Sequence, residues 1–165
     1  MPRMHALELL PDEPGCDVVR RDWQVLRDAG LPSQLDHRGA TNSPHVTVLA
    51  APALDGDDEQ RAAGLVASLL PAQVRASGIA LLGGTRVSVV RVLDVPDPLV
   101  RVVLDLRSQV RDVQHVGWLP HVTLARRMDR ADVGRAVEAL GHEDVVLTLA
   151  SLRRWDPDAG IVTTL

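Results

Sequence analysis

The sequence predicts an α+β protein of two pseudo-symmetric lobes arising from an internal duplication, with mainly antiparallel sheets flanked by helices around a central cleft. Three observations predict it. The tetrapeptide Pro-His-Val-Thr occurs at 44–47 and again at 120–123, each time leading into an apolar run. Apolar residues alternate in some segments and recur at helical spacing in others, which marks strands and helices in turn. Each half reads strand, helix, motif strand, helix, strand, with similar spacing, and such self-similarity points to a repeat. At 165 residues the chain is long enough for one cored domain, read here as a single bilobal unit with repeats over 4–82 and 86–154 and a closing strand at 160–164.

The elements follow in order. Residues 4–10 form a short apolar strand. Asp12 caps a helix whose Val19, Trp23 and Leu26 share a face, and Gly30 stops it. A polar loop leads to the motif strand at 45–50. A second helix opens with Asp57 as cap and Gln60 three residues on, and buries Ala62, Leu65, Val66 and Leu69. Pro71 ends it, and a strand follows at 73–82. The pair Gly83-Gly84 turns the chain into a strand at 86–93. Asp97 then caps a helix with Pro98 in its first position and Leu99, Val103, Leu106, Val110 and Val113 on its core face. The second motif strand spans 121–125. A helix near 130–140 turns Val133, Val137 and Leu140 inward and ends at Gly141. Strands near 145–154 and 160–164 complete the chain.

Composition narrows the function. Apolar residues make up 45% and charged residues 24%, as in a soluble globular domain. No run of roughly 18 apolar residues suggests a membrane span. The stretch MPRMHALELLPDEPG lacks the pattern of a secretion signal, and the single cysteine, Cys16, permits no internal disulfide; both favour a cytoplasmic protein. A net charge of −4 argues against coating long nucleic acids. All 18 basic residues are arginine, which suits bidentate phosphate contacts, although arginine-favouring codon usage accounts for most of that bias. Trp23, Trp118 and Trp155 are the only aromatic side chains, too few for a broad single-strand platform. A small phosphorylated ligand or an RNA end fits better.

The repeated motif carries the chemistry. Side chains alternate along a strand, so His45 shares a face with Thr47, and His121 with Thr123, while Val46, Val48, Val122 and Leu124 face the other way. Imidazole exchanges protons near neutral pH. A hydroxyl donates to a phosphate oxygen without adding negative charge. Two such units facing one another suit in-line displacement at phosphorus, which needs a base on the attacking oxygen and an acid on the leaving one. That scheme requires neither metal nor cofactor.

These paired motifs, PHVTVLA and PHVTLAR in two similar halves, resemble the 2H phosphoesterase superfamily, which contains 2′-5′ RNA ligases and cyclic nucleotide phosphodiesterases. The resemblance spans nearly the whole chain and includes the opening strand HALELL and the helix ending LRDAGLP. It implies a cleft between two lobes, with His45 and His121 as the acid/base pair and Thr47 and Thr123 as phosphate ligands. The first motif runs into Ala51-Pro52 without a following arginine. Arg126 falls on the arginine of the family's second motif, whereas strict alternation would aim Arg127 along with Thr123; both stand as candidate phosphate contacts. Trp118, three residues before the second histidine, is a candidate base-stacking residue as well as a packing one.

Other readings weigh less. His5 alternates with Leu7 and Leu9 and reads as structural; His37, His115 and His142 read as surface residues. The triplet RRW at 153–155 reads as an exposed strand end. Zinc is disfavoured because no His-x-x-x-His pair, cysteine cluster or motif carboxylate is present. The acids of DGDDEQ suit a helix start rather than a cation loop. The function expected is a metal-independent phosphoesterase acting, as a monomer without membrane or protein partner, on 2′,3′-cyclic phosphates or 2′-5′ linkages of RNA ends or small nucleotides. A non-catalytic binding module for the same ligands is the alternative, and product formation separates the two.

Overall fold

The computed structural model describes residues 3–165. Strands and helices follow in chain order as β1 (His5–Pro11), α1 (Glu13–Asp28), β2 (Val46–Ala51), α2 (Gly56–Ala67), β3 (Ala72–Gly83), β4 (Arg86–Asp94), α3 (Asp97–Gln109), β5 (His121–Asp129), α4 (Val133–Leu140), β6 (Val145–Asp156) and β7 (Ile161–Thr164). Short 3-10 turns occupy Gln34–Asp36 and Arg130–Asp132. The first lies in the segment read as a plain loop, where Ser33 and Asp36 cap one another.

Local chemistry sets the boundaries. The Asp12 carboxylate accepts from the Gly15 amide at 2.9 Å and starts α1 directly after β1. At α2 the cap is Asp55, not Asp57, because Asp55 and Asp58 satisfy each other's amides in a reciprocal pair. At α3 the cap is Pro96 with no side-chain bond, and Asp97 lies inside the first turn. Leu65 is exposed and Leu69 falls beyond the helix end, leaving Ala62 and Val66 as the buried stripe of α2. On α4 only Ala136 is fully buried; Val133, Val137 and Leu140 are half-buried on a rim. Gly83, at φ +125°, turns β3 into β4, and a Cβ there would lie 2.7 Å from the Arg86 carbonyl.

The strands form one seven-stranded sheet with the path β2-β1-β6-β3-β4-β5 and β7 added on β6. Every pairing is antiparallel. The predicted class and pairing therefore hold. Internal duplication is not shown by this topology: β6, from the second half of the sequence, lies between β1 and β3 from the first. Leaving β1 at an edge would expose its inner backbone groups, and β6 pairs with them along Ala6–Pro11. Strand β3 changes partner along its 12 residues, pairing β6 through Ala72–Ala76 and β4 through Arg75–Gly83, with an irregularity at Ser77-Gly78. The sheet thereby curls, and its two end strands β2 and β5, the motif strands, come into contact.

Helices brace this closure across the halves. The α1 residue Trp23 donates from Nε1 to the Thr123 carbonyl on β5 at 3.0 Å. Reciprocally, Trp118 donates to the Thr47 carbonyl on β2 at 2.9 Å. Leu7, Leu9, Val46, Leu49, Leu124 and Leu149 fill the core behind both motif strands. Among the described residues no helix is long and apolar enough to cross a membrane.

Candidate active site

Both motif strands break register at the same place. Glu8 pairs with Thr47 but Leu7 pairs with Leu49, which makes Val48 an extra residue. Val90 pairs with Thr123 but Val89 pairs with Ala125, which makes Leu124 the equivalent extra residue. Each bulge directly follows the motif threonine. Up to the bulge, alternation holds: His45 and Thr47, like His121 and Thr123, are half-buried on one face while Val46 and Val122 are buried on the other. Beyond it two successive residues are buried, Val48 with Leu49 and Leu124 with Ala125.

The imidazoles are held alike. His45 Nδ1 meets the Ser43 carbonyl at 2.8 Å, and His121 Nδ1 meets the Leu119 carbonyl at 2.6 Å. A carbonyl only accepts, so Nδ1 carries hydrogen in both rings and Nε2 is the nitrogen left to exchange a proton.

Their surroundings differ. His45 Nε2 lies 3.5 Å from Glu8 Oε1, so a proton there has a carboxylate acceptor. The other Glu8 oxygen accepts from Arg153 Nε at 2.7 Å, and both side chains are buried. Among the described residues no carboxylate pairs with His121. Burial holds its pKa below the ordinary imidazole value; the Leu119 bond opposes this in part, and the charges of His45 and Arg126 add to the lowering.

The motif residues open into two adjoining cavities of about 690 and 510 Å³. The larger contains His121, Trp118, Leu119 and Arg107; the smaller contains His45, Glu8, Arg126 and Arg153. Thr47, Ala50 and Gln114 line both, making one cleft with a histidine on each side. Of the residues predicted for the site, His45, His121, Thr47, Trp118 and Arg126 border this cleft, whereas Thr123 and Arg127 line neither cavity. A second break in β5, where Arg126 and Arg127 together oppose Ser88, puts Arg127 at φ +57° and ends the alternation that would have aimed it with Thr123.

His37, His115 and His142 are exposed, as expected; His37 also borders the smaller cavity, His115 the larger and His142 a separate one. The RRW triplet is not an exposed strand end: Arg153 is buried, and Trp155 joins it in the smaller cavity. His5 is buried on the face opposite Met4, Ala6 and Glu8, with Asp156 and Asp158 beside it. Arg154 donates to His5 Nδ1 at 2.9 Å and pairs with Asp156 at 3.0 Å, so this group is an ion-pair network.

Glu8, Arg107 and Arg153 were missed by the sequence reading. Glu8 is the only charge in the apolar run HALELL, and Arg107 lies four residues after the core residue Val103; a charge inside an apolar pattern was the available signal.

A curled antiparallel sheet with one His-x-Thr strand at each end defines a class, and the chain belongs to it: the model of the 2′-5′ RNA ligase superfamily matches residues 14–160. Solved structures with this fold include E. coli LigT complexed with 3′-AMP, at TM-score 0.57 and 13% identity over 99% of this chain and 94% of that one. Kluyveromyces marxianus Usb1 matches at TM-score 0.53 and 16% identity over 98% and 97%. Its complex with uridine monophosphate matches at 0.56 and 14% over the same shares. At these identities the likeness is one of fold. Comparison with curated proteins gives no match.

Proposed function

We propose that this protein is a phosphoesterase that opens 2′,3′-cyclic phosphates or cleaves 2′-5′ linkages at RNA ends and in small nucleotides, and that joins such ends in the reverse direction. One observation carries the reading: two imidazoles, each with Nδ1 pinned by a backbone carbonyl and Nε2 left to exchange a proton, border the same cleft from opposite end strands. Family membership and the nucleotides bound to LigT and Usb1 agree with it.

The asymmetry of the cleft divides the roles. His121, biased toward the neutral ring, takes the proton of the attacking water or hydroxyl on Nε2. That oxygen bonds to phosphorus, and the bond to the opposite ribose or 5′ oxygen breaks. His45 gives its Nε2 proton to the departing oxygen, so one proton is gained and one lost. The Thr47 hydroxyl and Arg126 guanidinium hold the non-bridging oxygens, whose charge grows as the transition state forms. Thr123 serves chiefly through its backbone, and Trp118 orders the wall beside His121. In ligation the two histidines exchange roles.

Incubation of the purified protein, with EDTA present, with adenosine 2′,3′-cyclic phosphate and with a 2′-5′-linked diadenosine tests this. The expected result is a ring-opened monophosphate from the first or cleavage of the second. Binding of both without product would identify a binding module instead.

A further inference from the structure

Three arginines are nearly closed off from solvent: Arg91, Arg107 and Arg153, exposed by 5, 6 and 8%. Arg91 holds both oxygens of Asp22, at 2.6 and 3.2 Å, and Arg153 holds Glu8. Arg107 has no carboxylate within ion-pair reach among the described residues. Its guanidinium donates instead to backbone carbonyls, Val48 at 2.6 Å, Val116 at 3.4 Å, and His115. Those bonds tie β2 to the segment that carries Trp118, and they occupy three of the five N–H groups while bringing no negative charge.

Carbonyls alone do not call for a charge. The three bonds use one N–H on each guanidinium nitrogen, so two N–H groups and the whole charge have no anionic partner, while burial pulls this guanidinium below its ordinary pKa. The position supplies the missing partner, because Arg107 borders the larger cavity together with Thr47 and His121. An anion entering that cavity shares it with a cation that has two N–H groups uncommitted and no carboxylate on it.

We propose that Arg107 binds a second phosphate of the substrate, on the His121 side of the phosphorus that reacts. The substrate class this selects is a nucleotide or RNA end bearing two phosphates, in preference to a cyclic mononucleotide with a free 5′ hydroxyl. The assignment rests on the phosphoesterase reading for the reacting phosphate.

Turnover of adenosine 2′,3′-cyclic phosphate with and without a 5′-phosphate, together with calorimetric binding of adenosine 3′,5′-bisphosphate and 3′-monophosphate, tests it. The wild-type protein is expected to favour the doubly phosphorylated member of each pair by about 10- to 100-fold, seen in KM and Kd. R107Q brings that ratio close to one, and R107K, which keeps the charge but loses the fork, retains part of it. A wild-type ratio near one, or an R107Q ratio equal to the wild-type ratio with only the melting temperature lowered, overturns the inference. Equal turnover of both cyclic phosphates would remove the second site and leave the phosphoesterase standing. Selective bisphosphate binding without turnover would do the reverse.

Discussion

The two ends of the sheet carry the same four residues but stand on different rows. Behind Thr47 the neighbouring strands supply Glu8 and Arg153; behind Thr123 they supply Val90 and Ala80. The backbone contacts nonetheless match: a histidine bonded to the carbonyl two residues earlier, an indole on the threonine carbonyl, and a bulge after the threonine. Placing an imidazole is a backbone problem with one solution, used twice. The side chains around the two imidazoles differ: the Glu8–Arg153 ion pair lies beside His45, while burial holds the His121 pKa below its ordinary value.

The largest effects break both ends equally. H45A and H121A are each expected to lower kcat on the cyclic phosphate by about 10²–10⁴-fold, because each removes one of the two proton transfers of the proposed reaction. Circular dichroism and melting temperature should change little, since both rings are half-buried at a cleft.

Breaking the charged row separates the ends. E8Q leaves the Arg153 cation buried without its carboxylate, a loss of roughly 3–5 kcal/mol in denaturant unfolding. It also removes the acceptor facing His45, so kcat falls with it. The double variant E8L/R153L recovers most of that stability but not the rate; full recovery of both would mean that the pair is structural alone. The threonines come next. T47A, at a residue common to both cavities, is expected to cost about tenfold in kcat/KM, the worth of one hydrogen bond to a charged oxygen, and T123A less.

The smallest effect is a displaced pH limb. A base must be neutral, and a lowered pKa keeps His121 neutral to lower pH, so the acidic limb of kcat/KM should fall below the ordinary imidazole value of about 6.5. A limb at or above about 6.5 would contradict the lowering that burial imposes on His121. The charges facing His121 are those of His45 and Arg126, so R126M should move the limb back toward that value.

Much of this was legible in the sequence where the rule is local. Alternation put each histidine beside its threonine, and helical spacing found the core face of α1 and, on α3, Leu99, Val103 and Leu106, although Val110 and Val113 fall beyond the helix end. The choice between Arg126 and Arg127 was not legible, because it depends on a bulge set by pairing with β4. The place of β6 between β1 and β3 was hidden for the same reason: strand order is a long-range outcome. Glu8 was visible as a lone charge in an apolar strand, yet its meaning appears only when β2 brings His45 over it. Asp55, passed over for Asp57, shows how neighbouring acids blur a helix start.

The division of labour between the two histidines is tested most directly by a leaving group that needs no proton. Cleavage rates of a 2′-5′-linked diadenosine and of adenosine 2′-(4-nitrophenyl phosphate) should be compared in the wild type, H45A and H121A. H45A is expected to fail on the first substrate and to approach wild-type rates on the second, while H121A fails on both. Recovery of H121A in place of H45A, or of neither, would contradict the assignment.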